Sequence, residues 1–219
     1  MKTIIFDFDG TLADTRFSIV KTIQVTLKEL GLKEANEDAI INVIGLPLKD
    51  TFTQAAHIQE GELLDKAIMV YREKYDDISL KAVRLFPNVE KVLKQLHQQG
   101  ITITVASSKG KKALLMLLEA LNISQYISVV FGEQDVKNKK PAPDMALHIL
   151  NETSSTPKET LVVGDTIYDI AMGQGASCIT CGVTYGNNTR EQLQRQKADF
   201  IIDNFEEVLN IIKQRTSHK

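Results

Sequence analysis

The first fifteen residues, MKTIIFDFDGTLADT (Met1–Thr15), decide how the rest of the chain is read. A short apolar run, Thr3–Phe8, takes in one acid, Asp7, and is followed at once by a second, Asp9. Runs of this length fit a strand buried on both faces in a parallel sheet. In a strand, residues i and i+2 share a face. Asp7 and Asp9 are therefore set side by side where the buried strand ends. Two carboxylates that close repel unless a cation or a proton separates them. Gly10 lets the chain turn there and expose backbone N–H groups. The alternative, two solvated acids in a loop, fits poorly with the apolar run that leads into them.

Working outward, similar runs recur at Ile101–Ala106, Ile127–Phe131, Leu161–Val163, Ser177–Cys181 and Phe200–Ile202. Helical patterns lie between most of them. Val89, Val92, Leu93 and Leu96 mark one stripe, stopped by Gly100, and Leu114, Leu117, Leu118 and Leu121 mark another. Strands alternating with helices predict a three-layer, Rossmann-like α/β core around a parallel sheet. From Arg16 to about Leu80 the alternation fails. Phe17, Val20, Ile23, Leu27 and Leu30 lie at helical spacing before Gly31, and Leu64, Ala67, Ile68, Tyr71 and Tyr75 give a second clear helix. A shorter helix is expected over Leu48–Ala56. This reads as a small all-helical domain, residues 16–81, inserted after the first strand of a core made of residues 1–15 and 82–219. The polar tail Arg215–Lys219 is expected to fray.

The composition of the 219 residues is that of a globular protein: 43% hydrophobic and 25% charged, with 26 Lys+Arg against 28 Asp+Glu, a net charge of −2. That excludes bulk disorder and fibrous repeats, and it gives no global argument for nucleic acid or an anionic membrane. No nucleic-acid or membrane partner is expected, and the oligomeric state is left open. No apolar run approaches the roughly 20 residues a membrane helix needs. The acids in the N-terminal run do not suit a secretory signal, so a cytoplasmic protein is expected. Two cysteines, Cys178 and Cys181, do not make a disulfide scaffold.

Three further segments carry chemistry. Leu161–Gly164 runs into Asp165, with Asp169 four residues on; at a helix start the two face the same way, although Asp165 alone also reads as a cap. With the first pair, this sets three or four carboxylates at the C-terminal ends of parallel strands, the edge where open α/β sheets bind ligands. Oxygen-only ligands of this kind suit Mg²⁺. Ile101–Ala106 runs into Ser107, Ser108 and Lys109, which is either a capped helix with a basic turn or a cradle of hydroxyls and N–H groups for a phosphoryl anion. In Lys139-Lys140-Pro141-Ala142-Pro143-Asp144 the prolines stiffen a loop that, by itself, reads as solvated surface. A lysine so fixed can also neutralise a phosphoryl oxygen.

In this order DFDGTL, VASS, KKPAPD and GDTIYD resemble the four motifs of the haloacid dehalogenase superfamily, and the resemblance runs from Thr3 to about Glu207. The helical insert resembles that family's cap. The resemblance implies a phosphatase acting on a small phosphorylated metabolite, with Asp7 as nucleophile, Asp9 as general acid and base, and Mg²⁺ held by the Asp7 carboxylate, the Asp9 carbonyl and Asp165. It implies that Gly10, Thr11, Ser107, Ser108 and Lys140 bind the phosphoryl group and that Asp169 orients Lys140 or a metal-bound water. Ile44–Leu48, the DGTLADT start and Phe86–Val89 are similar to the phosphoglycolate phosphatase branch. On that reading Gly45, Leu46, Pro47 and Lys49 belong to a specificity loop, which otherwise reads as a plain interhelical turn. Lys49, Arg16 and Lys109 are candidates to meet a second anionic group.

Rival functions are an inorganic pyrophosphatase, a β-phosphoglucomutase-like phosphotransferase and a phosphate-binding protein without catalysis. Cys178-Ile179-Thr180-Cys181 lacks the partners of a zinc site and falls in a predicted strand, unlike a redox CxxC. Gly173-Gln174-Gly175 follows a helix and is no dinucleotide loop. His57, His97 and His148 have no metal ligand at suitable spacing, and the lysines at 109, 111 and 112 lack an aromatic platform for nucleic acid.

Overall fold

β1 (Thr3–Phe6) is buried along its length and lies inside a six-stranded sheet whose every pairing is parallel. The computed structural model describes residues 1–216. β2 (Ala13–Asp14) and β3 (Arg84–Leu85) form a separate antiparallel pair. The large sheet continues with β4 (Thr102–Ala106), β5 (Val129–Phe131), β6 (Thr160–Gly164), β7 (Ile179–Val183) and β8 (Phe200–Ile202), in the order β5-β4-β1-β6-β7-β8. The chain therefore builds outward from β1 to β5, then crosses back to lay β6 on the other side of β1. This reversal makes a crevice at the C-terminal ends of the strands beside β1.

The sheet separates two apolar layers because alternate residues point to opposite faces. Ile4, Phe6, Leu161 and Val163 pack in the cluster that includes α5 (Val89–Gln98), α6 (Lys111–Ala120) and α10 (Val208–Thr216). Ile5 and Val162 face the other way, against α7 (Asp144–Glu152) and α8 (Ile167–Gly175). The short α9 (Arg190–Arg195) closes β7 through Leu193, which lies against Gly182. Ile4, Phe6, Leu93 and Leu96 are fully buried, and each such side chain stabilises the fold by about 1.5–3 kcal/mol.

Between β2 and β3 lie α1 (Arg16–Glu29), α2 (Glu37–Ile41), α3 (Leu48–Ala55) and α4 (Glu62–Ala82). Ile19, Val20, Ile23 and Leu27 of α1 are buried, and so are Leu64, Ala67, Tyr71 and Tyr75 of α4. Phe17 departs from its expected stripe: it is 65% exposed at the outer start of α1. Asn36 caps α2 through the backbone of Asp38 at 2.8 Å. Gly31 and Gly100 follow α1 and α5, as the sequence predicts. α10 continues through Arg215 and Thr216, so the expected fraying does not start at Arg215; residues 217–219 of that expectation lie outside the described residues. Among the described residues no helix is long and apolar enough to cross a membrane.

Candidate active site

Strand register assembles the site. Phe6 stands level with Val105 of β4 and Val163 of β6. The residues that leave these strands at the same edge are Asp7, Ser107 and Asp165, and the Asp7 N–H donates to Val163 O at 2.9 Å. All three side chains are buried. The loop before α7 brings in Lys140, itself 3% exposed. Its ammonium donates to Asp7 Oδ1 at 2.6 Å and to Asp169 Oδ1 at 2.6 Å. Asp169 lies in the first turn of α8, where its other oxygen accepts from the Thr166 N–H at 3.0 Å and the Thr166 hydroxyl at 2.6 Å. Asp169 is thus a capping-box residue and also the second partner of Lys140.

Asp165 is anchored from the opposite side. Its Oδ2 accepts from both the backbone N–H and the side-chain amide of Asn187, each at 2.7 Å, and its Oδ1 accepts from the Thr11 hydroxyl at 3.2 Å. Gly10, at φ +83°, lies so close to Asp165 that a Cβ would overlap its carboxylate. Glycine is required there both for the backbone angle and for the approach.

Asp7, Asp165 and Asp169 present oxygens that all lie within 4.8 Å of one another. Burial pushes the Asp7 carboxyl well above the usual range; the Lys140 charge opposes this, and Asp169 and Asp165 reinforce it. Burial and the Asp169 charge push Asp165 up to about 7 against the Asn187 hydrogen bonds. Burial would lower Lys140, but Asp169 and Asp7 outweigh it and hold the ammonium above its usual value. Asp7 and Asp169 thus share one buried ammonium while Asp165 beside them has none among the described residues, and a divalent cation would balance the remaining charge. The all-oxygen donor set fits a hard cation such as Mg²⁺. The Asp9 carboxylate is outside this cluster.

Asp9 instead faces a pocket of about 320 Å³ between the sheet edge and the helical insert. Lys109 Nζ lies 3.1 Å from Asp9 Oδ1, an ion pair without hydrogen-bond alignment, since that oxygen has no hydrogen-bond partner among the described residues. The same ammonium donates to the Tyr75 hydroxyl at 2.8 Å and lies 4.2 Å from the Tyr75 ring centroid. Ser107 lines the pocket, and its Oγ accepts from the Lys109 N–H at 3.2 Å.

Several predicted residues are placed elsewhere. Gly10 and Thr11 do not line the pocket: the Thr11 hydroxyl donates to Asp165, and the Gly10 N–H donates to Ala13 O at 2.9 Å. Ser108 lines it, but its hydroxyl donates to Gly45 O at 2.7 Å. Gly45 and Leu46 form part of the wall. Pro47 and Lys49 do not: Pro47 precedes the first turn of α3, and Lys49 turns outward to Glu60 at 2.9 Å. Arg16 donates to Gly186 O at 2.8 Å and is also absent from the wall. Asn187, Glu133, Arg72 and Tyr75 were not predicted. Glu133 is 4% exposed and accepts from Arg72 of α4 at 2.8 Å. Asn187 had a signal, because Gly186-Asn187-Asn188 follows another apolar strand at the same sheet edge. The cysteines face opposite apolar layers, and burial raises both thiols, Cys178 to about 11.

A sequence model described as haloacid dehalogenase-like hydrolase matches residues 4–183. The chain is 34% identical over 209 residues to the Probable phosphatase IndB of Dickeya dadantii (strain 3937), covering 94% of this chain and 91% of the relative. It is 32% identical over 212 residues to Pyrophosphatase PpaX of Oceanobacillus iheyensis, covering 97% of each. The crystal structure of a predicted phosphoglycolate phosphatase from Haemophilus somnus 129pt superposes with a TM-score of 0.86 at 29% identity, covering 97% of this chain and 98% of that one.

Proposed function

The chain belongs to the haloacid dehalogenase-like hydrolases, and from that premise we propose that it is a Mg²⁺-dependent phosphatase that hydrolyses a small phosphate monoester through an aspartyl-phosphate on Asp7. One observation carries the reading: strand register and the Lys140 loop bring Asp7, Ser107, Asp165 and Lys140 to a single buried point at the switch in strand order.

A phosphate monoester resists hydrolysis strongly, and covalent catalysis divides its large barrier into two smaller ones. In the first half, an Asp7 oxygen bonds to phosphorus as the bond from phosphorus to the alcohol oxygen breaks. Asp9, which faces the pocket, delivers its proton to that leaving oxygen. In the second half, ionised Asp9 takes a proton from the water that attacks phosphorus. The bond between Asp7 and phosphorus then breaks, restoring the Asp7 carboxylate and releasing phosphate. Ser107 holds a phosphoryl oxygen, and Lys140 offsets the charge on Asp7 and the transferring group. Asp7, Asp165 and the Asp9 carbonyl would hold Mg²⁺, which would supply positive charge to offset the repulsion between carboxylate and phosphate. Asp169 keeps Lys140 in place.

Residues 16–81 act as a cap over this site. The Ser108–Gly45, Lys109–Tyr75 and Arg72–Glu133 contacts support that reading, because each joins the insert to the core beside the pocket. A cap of this kind excludes bulk water from the reacting groups.

The similarity to Pyrophosphatase PpaX favours pyrophosphate cleavage as the second reading. Phosphate release from a panel of phosphomonoesters and pyrophosphate, with Mg²⁺ or with EDTA, separates the two. Monoester turnover abolished by EDTA is expected. Turnover of pyrophosphate alone favours the second reading, and turnover unaffected by EDTA overturns the metal assignment.

A further inference from the structure

We propose that the alcohol released from the substrate is uncharged and presents a broad apolar face, and that it carries no second anionic group. This rests on the phosphatase reading above and narrows its substrate class.

The pocket's walls are the first reason. Beyond the phosphoryl end at Asp7 and Ser107, Ile19, Ile44, Leu46 and Leu48 line it, together with Tyr71 and Tyr75. At about 320 Å³ it lies within the range of sites that enclose a ring-sized ligand through apolar walls and a few polar groups. A glycolate leaving group would have almost no apolar surface to set against these walls.

Charge is the second and independent reason. Three cations line the pocket among the described residues, and each already faces a carboxylate that also lines it. Lys109 lies 3.1 Å from Asp9 and Arg72 lies 2.8 Å from Glu133, whereas Lys112, 94% exposed and 3.9 Å from Asp76, is mostly solvated. A carboxylate or second phosphate on the leaving group would have to displace one of these pairs. It would also sit close to Asp76 or Glu133, where like charges repel across a partly desolvated gap. Once Asp9 carries the proton it delivers, Lys109 keeps the Tyr75 hydroxyl at 2.8 Å and the Tyr75 ring, while Glu133 and Asp76 still repel an anion further along the wall. An uncharged ring or alkyl group disturbs none of the pairs and gains the apolar contact.

The test compares benzyl phosphate, phosphoglycolate and pyrophosphate. Benzyl phosphate releases an unactivated alcohol, so preference for it reports the pocket and not leaving-group reactivity. kcat/KM is measured for the wild type with Mg²⁺, and binding of the same three compounds to Asp7→Asn is measured by calorimetry. Benzyl phosphate is expected to be favoured by about tenfold or more in both. Leu46→Ala is expected to reduce kcat/KM for benzyl phosphate more than for phosphoglycolate. Parity, or a preference for phosphoglycolate, overturns the inference and leaves the phosphatase reading standing; a preference for pyrophosphate overturns the inference and favours the pyrophosphatase reading. If none of the three is hydrolysed while benzyl phosphate still binds best, the phosphatase reading falls and the preference of the pocket stands.

Discussion

Lys140 reaches across the fold to Asp7: its ammonium donates to Asp7 Oδ1 at 2.6 Å, joining residues 133 apart in sequence. The same nitrogen holds Asp169 at 2.6 Å, so one buried charge separates two buried carboxylates. Lys140→Met removes that charge and leaves its shape. kcat is expected to fall by about 10²–10³. Without metal at neutral pH, stability is expected to fall by about 3–5 kcal/mol, since two buried carboxylates lose their partner. The stability loss should shrink as pH falls and Asp7, whose carboxyl burial raises, takes up a proton. Denaturant unfolding across pH, beside kcat at saturating Mg²⁺, measures both effects.

Metal and protons compete for the same oxygens. Asp7 and Asp165 are raised in the metal-free fold, Asp165 to about 7. A carboxyl raised on folding contributes stability that is full below its unfolded value and is lost as pH rises through its folded value. The metal-free protein is therefore expected to lose this contribution between the ordinary carboxylate range and about pH 7. Mg²⁺ restores what the protons no longer supply, so its upward shift in Tm should be larger at about pH 8 than at about pH 5. A Tm shift independent of pH would contradict this.

Asn187 fixes one oxygen of Asp165 through two donors. Asn187→Ala removes the side-chain donor and retains the backbone one. The Mg²⁺ concentration needed for half-maximal activity is expected to rise by about 10–100-fold, with kcat largely recovered at saturation. A metal titration of activity distinguishes this from a general loss of folding, which added Mg²⁺ would not repair.

Arg72 of α4 pairs with buried Glu133 of the core, and its own side chain is 54% exposed. Arg72→Ala is expected to raise KM about twofold to fivefold with little change in kcat, as fits an ion pair worth ~0.5–1 kcal/mol at a half-exposed position. An equal fall in kcat would instead place Arg72 in the chemical step.

The sheet was legible because β1, β4 and β6 are buried on both faces and read as unbroken apolar runs that stop at acids or hydroxyls. The helices α1 and α4 were legible from their apolar stripes. β2 and β3, two residues each, and α2, five residues long, are too short to show a period. Asp7, Ser107, Lys140 and Asp165 could be named because their segments, taken in order, resemble the four family motifs; by itself the Lys140 loop reads as solvated surface. Asn187 and Glu133 could not, since their roles come from contacts with Asp165 and Arg72 that only tertiary structure creates. Lys49 illustrates the converse. Resemblance groups it with a specificity loop, yet it lies in the first turn of α3, pairs with Glu60 and is absent from the pocket wall.

The central claim is a phosphoryl group carried on Asp7, and Asp9→Asn makes it observable. Phenyl phosphate has a leaving group that departs without an acid, so the first half-reaction survives in this variant while the second loses its base. Mass spectrometry of the acid-quenched reaction is expected to find a phosphoryl group on the peptide containing Asp7, and none when Asp7→Asn is added. Release of phenol with Asp7 unmodified, or with the phosphoryl group on another residue, would contradict the account.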